Sequence, residues 1–180
     1  MKKVQQQKTE MVRLVVTKHK MSIKLVYGYE LKDEVKDLFA EYTEFLISSD
    51  NGFKKYLEIQ KYDHEIGNLE EKYGLPYGRL YVAYFENNIA GCIALRKLND
   101  SQCEMKRLYV RPQFRNKGIA KTLVEKIISD AKETGYNNML LDTLPFLTTA
   151  IEMYKKIGFY ETGCYNDSPL DSTIYMKLDL

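Results

Sequence analysis

Six residues near the middle of the chain, Arg115-Asn116-Lys117-Gly118-Ile119-Ala120, put two fixed positive charges and a small-residue turn at the start of an expected helix. An anion suits such a place. A helix N-terminus leaves unpaired N–H groups and the positive end of the macrodipole outward, and small side chains let a phosphate reach the backbone. Successive N–H groups in a turn form a similar concave nest. A solvated basic loop before an ordinary helix is the alternative that six residues alone leave open. Just upstream, the strand-like run Cys103 to Val110 carries Glu104, Lys106 and Arg107 where a strand covered on both faces would be apolar. Either this is an edge strand or part of it lines a wet cleft, and the nearby turn favours the cleft. Strict alternation puts Glu104, Lys106, Leu108 and Val110 on one face and Met105, Arg107 and Tyr109 on the other.

Two phosphate-binding loops are ruled out by their glycines. A Walker A motif ending at Lys121-Thr122 requires glycine where Arg115 and Ala120 stand, and a Rossmann fingerprint fails because Gly118 is alone in its turn.

The elements that position this run follow from hydrophobic spacing. Ser22 to Tyr29 is β-rich and leads into Val35, Leu38, Phe39, Tyr42, Phe45 and Leu46, an amphipathic helix broken at Asp50-Asn51-Gly52. Phe53 to Tyr73 reads as a less regular helical cover. Arg79 to Phe85 and Ile89 to Leu98 make a hairpin through Asn87-Asn88, and Cys103 to Val110 continues the meander. Ala120, Leu123, Val124, Ile127, Ile128 and Ala131 form the stripe of a helix ending at Gly135, with Lys121, Glu125, Lys126 and Asp130 facing away. Met139-Leu140-Leu141 is a buried strand, so strand, helix and strand imply a right-handed parallel crossover and a mixed sheet. Ala150, Met153, Tyr154 and Ile157 form a second stripe, capped by Thr148 or Thr149 and ended by Gly158. Phe159 to Thr162 and Thr173 to Leu178 are the final strands, joined by a loop through Asn166, Asp167 and Pro169 that would close over the site. Residues 1–20 read as a polar extension or edge strand, and residues 21–180 as one domain.

Composition narrows the classes. With 27 Lys and Arg against 25 Asp and Glu, net charge marks neither a nucleic-acid nor a membrane binder. The three cysteines, Cys92, Cys103 and Cys164, are widely spaced, and the two histidines, His19 and His64, lie far from one another; no metal site is expected. No apolar run is long enough to span a bilayer, and the first residues lack a signal-peptide core. The expected location is a reducing cytoplasm.

Three motifs in order, E-M-K-R-L-Y-V-R-P from Glu104, R-N-K-G-I-A from Arg115 and A-I-E-M-Y-K-K-I-G-F from Ala150, make the chain resemble the GNAT N-acetyltransferase superfamily from about Ile23 to Leu180. The resemblance implies an α/β (α+β) fold, a mixed, twisted six- to seven-stranded sheet flanked by about four helices, with splayed central parallel strands. It also implies acetyl-CoA (coenzyme A) between those strands. Pantetheine would pair with Leu108, Tyr109 and Val110, and pyrophosphate would rest on Arg115, Asn116, Lys117, Gly118, Ile119, Ala120 and Lys121. An amine of a small molecule or peptide would attack the thioester directly, with a backbone N–H near Val110 serving the oxyanion.

By the same resemblance Tyr154 is the general acid for the departing thiolate, its ordinary pKa of about 10 suiting the task. In a chain of 15 tyrosines an inward Tyr on a helical stripe would otherwise be read as core. Glu104 stands where some relatives carry the carboxylate that deprotonates the amine, and a structural ion pair with Lys106 or Arg107 is the competing reading. Leu147 replaces an asparagine common among relatives. Asp63, Glu65, Glu70, Glu71 and the Leu75 to Gly78 turn are the expected acceptor-facing group, the acids suiting a cationic amine or forming a solvated helix face. No nucleic acid or membrane partner is expected, and a second copy of the chain, as a homodimer, is a candidate. The alternatives are a CoA-binding regulatory protein with little catalysis and a nucleotide-binding domain.

Overall fold

The computed structural model describes residues 22–49, 65, 67–168 and 170–180. The expected extension at residues 1–20, most of the helical cover from Phe53 and Pro169 lie outside these. Seven strands form one sheet: β1 (Ile23–Tyr27), β2 (Arg79–Phe85), β3 (Asn88–Lys97), β4 (Gln102–Val110), β5 (Asn138–Thr143), β6 (Tyr160–Glu161) and β7 (Ile174–Asp179). Their order is β1-β2-β3-β4-β5-β7-β6, antiparallel except where β4 meets β5. Four α-helices are described, α1 (Lys32–Ser49), α2 (Leu69–Tyr73), α3 (Ile119–Thr134) and α4 (Thr148–Ile157), with one 3-10 turn at Pro112–Phe114.

Two apolar clusters sandwich the sheet. Val35, Leu38 and Phe39 of α1 and Tyr73 of α2 pack with Leu80, Val82, Cys92 and Ala94 on one face. Ile119, Leu123, Val124 and Ile127 of α3 and Tyr154 of α4 pack with Ile93, Leu95, Cys103, Met105 and Val110 in the other cluster. Each fully buried Val, Leu, Ile, Phe or Met among them contributes about 1.5–3 kcal/mol.

Three sequence expectations shift. The hairpin turns on Glu86 and Asn87, both in the left-handed region (φ +48° and +67°), between the paired Phe85 and Asn88; this is the twist a two-residue hairpin requires. Helix α4 starts at Thr148 with Leu147 in the cap position, so neither Thr148 nor Thr149 caps it. Asp130 of α3 is buried rather than solvent-facing: Lys126 Nζ lies 2.6 Å from its Oδ1, and Arg79 Nε is 3.9 Å from its Oδ2.

Strand β4 departs from strict alternation. Lys106 lies opposite Ala94 and Tyr109 opposite Cys92, so Arg107 and Leu108 together face the single residue Ile93. This is a β-bulge, and Arg107 has the φ of +58° that marks its first position. The bulge reverses facing for the rest of the strand. Leu108 and Val110 join Cys103 and Met105 in the α3 cluster, while Tyr109 packs in the α1 cluster and Arg107 lies over Phe39. Glu104 and Lys106 therefore share a face with Arg107, not with Leu108 and Val110. Charge in this central strand is accommodated by pairing on the α1 side.

Candidate active site

The parallel pairing of β4 and β5 stops almost as soon as it starts. Gln102, Cys103 and Glu104 lie opposite Asn138, Met139 and Leu140; beyond them β5 remains paired only with β7. The strands splay, and a cleft of about 590 Å³ opens between them. Its walls include the β4 residues Met105 to Val110, Leu141 to Leu144 after the splay, Tyr42 and Phe45 of α1, and Tyr154 of α4. A strand edge without a neighbour offers its N–H and C=O groups to an extended ligand that adds as a further strand.

The floor of the cleft runs straight into the turn. Arg115 Nε donates to the Val110 carbonyl at 3.2 Å and its guanidinium lies 5.3 Å from the Phe45 ring centre, tying the strand end to α1. Asn116 (φ +61°) and Gly118 (φ +79°) both adopt left-handed backbone. Gly118 occupies the cap position of α3, and no side chain caps the helix there, so its first N–H groups look into the turn. Of the residues expected to hold the cofactor, Leu108, Tyr109, Val110, Arg115, Asn116, Gly118, Ile119, Ala120 and Lys121 line the cleft. Lys117 does not. Its Nζ lies 5.0 Å from the ring centre of Phe85.

Tyr154 is buried with its ring 5.7 Å from that of Phe159, and it lines the cleft; among the described residues no group hydrogen-bonds its hydroxyl. Burial, then the neighbouring Tyr42 and Asp142, hold its pKa well above the ordinary phenol range. The phenol keeps its proton at neutral pH, and burial makes it a weaker acid than the ordinary phenol expected from the sequence. Burial likewise pushes the Tyr42 phenol up to about 12.

Glu104 is brought close to this cleft but sealed from it. The side chain is fully buried, pairs with Arg96 and with Lys106 Nζ (3.4 Å), and accepts the Tyr165 hydroxyl at 2.9 Å. It does not line the cleft; its surroundings are those of the ion-pair reading. Asp142, its side chain 12% exposed, lines the cleft where Glu104 does not. It is the one acidic side chain among the described residues lining the cleft, two residues past the last β4 partner on β5. Lys106 Nζ is 3.6 Å from its Oδ1, and Asn166 Nδ2 donates to its Oδ2 at 3.1 Å. Asp142 was missed because it ends an apolar run that reads as ordinary buried strand; a charge breaking that run was the available signal.

The acidic group expected near the acceptor separates. Glu65 is buried on Arg107, whose Nε and Nη2 donate at 2.6 and 3.0 Å, and so does not present charge to a ligand. Glu70 pairs with Lys32 on the surface at 3.3 Å, Glu71 is exposed, and Asp63 lies outside the described residues. Leu147, in the place of the common asparagine, adds an apolar wall beside Leu46 and Leu144. The final loop does reach the site: Leu170 and Thr173 line the cleft while Tyr165 and Asn166 bond Glu104 and Asp142. Among the described residues no group of acidic, His or Cys side chains could hold a metal, and no helix is long and apolar enough to cross a membrane.

Comparison with known proteins agrees with this geometry. Residues 34–159 match the model of the acetyltransferase (GNAT) family. The chain is 33% identical to an uncharacterized N-acetyltransferase of Dictyostelium discoideum, over 89% of this chain and 100% of that one. It is 38% identical to an uncharacterized N-acetyltransferase of Schizosaccharomyces pombe, over 82% and 88%. The fold is similar to that of the PaiA N-acetyltransferase of Thermoplasma acidophilum, solved with coenzyme A, with a TM-score of 0.64, 21% identity and coverage of 89% and 100%.

Proposed function

Because the chain belongs to the GNAT acetyltransferase family, with acetyl-CoA as its cosubstrate, we propose that it transfers the acetyl group to a primary amine of a small molecule or peptide. The observation that carries the reading is the early parting of β4 from β5, which leaves an unpaired strand edge leading directly into an uncapped helix start. The residues present fit the cosubstrate. The edge Leu108 to Val110 suits an extended amide-bearing arm, and the turn from Arg115 to Lys121 suits a pyrophosphate.

Acetyl-CoA supplies an acetyl group activated as a thioester. The chain's own groups do three things in this reading. A backbone N–H near Val110 donates to the acyl oxygen as charge gathers there. Asp142, at the cleft wall, receives the amine's proton, while Glu104 holds Lys106 and Tyr165 in place from behind. Tyr154 Oη holds a proton for the departing sulfur. Apolar Phe45, Leu144, Phe146 and Leu147 exclude water from the same space.

Thiol release from acetyl-CoA over a panel of amines tests the reading. Wild type is expected to turn over at least one amine, and Tyr154→Phe to lose most of that rate while keeping its affinity for acetyl-CoA. Tight binding of acetyl-CoA with no turnover of any amine would leave a binding protein in place of the enzyme.

A further inference from the structure

We propose that Glu65 and Arg107 form a clasp that keeps β4 bulged, which makes Glu65 a positioning residue for acetyl-CoA. The inference rests on the reading above that acetyl-CoA lies along the β4 edge.

Arg107 occupies the first position of the bulge with φ +58°, a place where glycine is the usual residue because a Cβ strains left-handed backbone. Something must hold it there. Glu65 accepts from Arg107 Nε at 2.6 Å and Nη2 at 3.0 Å, and its Oε1 also accepts the Tyr73 hydroxyl at 2.6 Å, with Lys72 on Oε2. The carboxylate is 1% and the guanidinium side chain 4% exposed, and the latter lies 5.4 Å from the Phe39 ring centre. Both partners are thus fixed on the α1 side of the sheet.

That placement depends on the bulge. Lys106 faces the same side, and consecutive residues of a regular strand point to opposite faces. Straightening β4 would swing Arg107 away from Glu65 toward the α3 cluster, breaking a buried bidentate pair. The clasp and the bulge therefore stabilise each other. An ion pair serving only to join the residue ahead of α2 to the sheet would have no need of a left-handed arginine. The consequence reaches the cleft through Leu108, Tyr109 and Val110, whose facing and backbone direction follow from the bulge.

The test compares two double variants that both remove the ion pair: Glu65→Gln/Arg107→Gly and Glu65→Gln/Arg107→Ala. Glycine takes left-handed backbone without strain and alanine does not. Acetyl-CoA affinity by calorimetry is the main readout, with the KM for acetyl-CoA and kcat from thiol release beside it. The glycine variant is expected to bind acetyl-CoA about tenfold more tightly than the alanine variant, or by about 1.4 kcal/mol. Lost packing and lost charge are common to both, so rescue by glycine isolates the backbone. Equal affinity in the two variants, at whatever level, overturns the clasp. Should neither fold by circular dichroism, Glu65→Asp, shorter by one methylene, replaces them: weaker acetyl-CoA binding supports the clasp and wild-type binding overturns it. A wild type that fails to bind acetyl-CoA overturns the functional reading first, and the clasp with it. The two failures are distinct because one appears in wild type and the other only between variants.

Discussion

Gly91→Ala adds one methyl group on β3 opposite Val110, past the bulge in β4. The new Cβ would sit 2.2 Å from the Tyr109 carbonyl oxygen and 3.1 Å from the Val110 Cα, where contacts under 3.0 Å do not occur. The obstructing oxygen is backbone, so no rotamer change relieves it; β4 must move by roughly 0.8 Å or more in a close-packed interior. Overpacking of this kind costs about 1–3 kcal/mol, and at ~2–4 °C per kcal/mol for a chain of this size Tm should fall by roughly 2–12 °C. Because the displaced residues are Tyr109 and Val110, acetyl-CoA affinity should weaken as well. Gly118→Ala is the natural comparison. Its Cβ would meet nothing of the protein within 4 Å, so in thermal melts only the strain of φ +79° remains, about 1–2 kcal/mol. Thermal melts and calorimetry on the pair check the reasoning. A Gly91→Ala variant with wild-type Tm and wild-type acetyl-CoA affinity would refute the claim that β4 is pinned at this crossing and that its edge holds the cosubstrate.

Three further outcomes are expected. Tyr154→Phe should lower kcat by about 10²–10⁴-fold, the usual worth of a general acid, with acetyl-CoA affinity within about twofold in calorimetry. For Asp142→Asn, kcat/KM should drop at neutral pH, and the deficit should shrink as pH rises toward the pKa of the amine, which a pH–rate profile will show. Glu65→Gln should destabilise the protein by about 3–5 kcal/mol in urea melts at pH 7 by leaving Arg107 buried without its charge partner. Burial alone would raise the Glu65 carboxyl, but Arg107 and Lys72 outweigh it and hold the pKa well below the usual range. A depressed carboxylate adds stability above its unfolded pKa of about 4.3 and loses it as pH falls, so the gap between wild type and variant should narrow below about pH 4.

The fold was legible where local pattern and tertiary role agree. The stripes of α1, α3 and α4, the meander β2-β3-β4 and the parallel crossover to β5 follow from periodicity, and the turn that opens α3 from its one glycine. What the sequence conceals are departures from period. A bulge leaves no hydrophobic signature: Arg107 looks like any alternating residue until its φ is known, and every facing after it is then inverted. Buried charge is hidden for a related reason. Asp130 stands on the polar side of a helical wheel, yet Lys126 and Arg79 meet it under cover, and Glu65 lies in a segment with weak amphipathicity whose partner is in a strand 42 residues on.

The two carboxylates of the cleft region show how far identity and position part company. Glu104 and Asp142 share Lys106 as a partner, at 3.4 and 3.6 Å, so they are ends of one network rather than independent groups. The splay separates their positions. Glu104 belongs to the last residue pair that still joins β4 to β5 and is enclosed by Arg96, Lys106 and Tyr165; Asp142 lies two residues beyond, where the strands have separated, and it lines the cleft. A carboxylate that must accept a proton from an incoming amine needs an open approach, and one that must keep a lysine and a tyrosine in register needs the opposite. On that ground Glu104→Gln should disturb folding stability more than Asp142→Asn does, and Asp142→Asn should disturb turnover more than Glu104→Gln does. Urea melts and thiol-release rates on the two variants measure both orders. Reversal of either would return the proton-accepting role to the strand residue where the sequence motif first placed it.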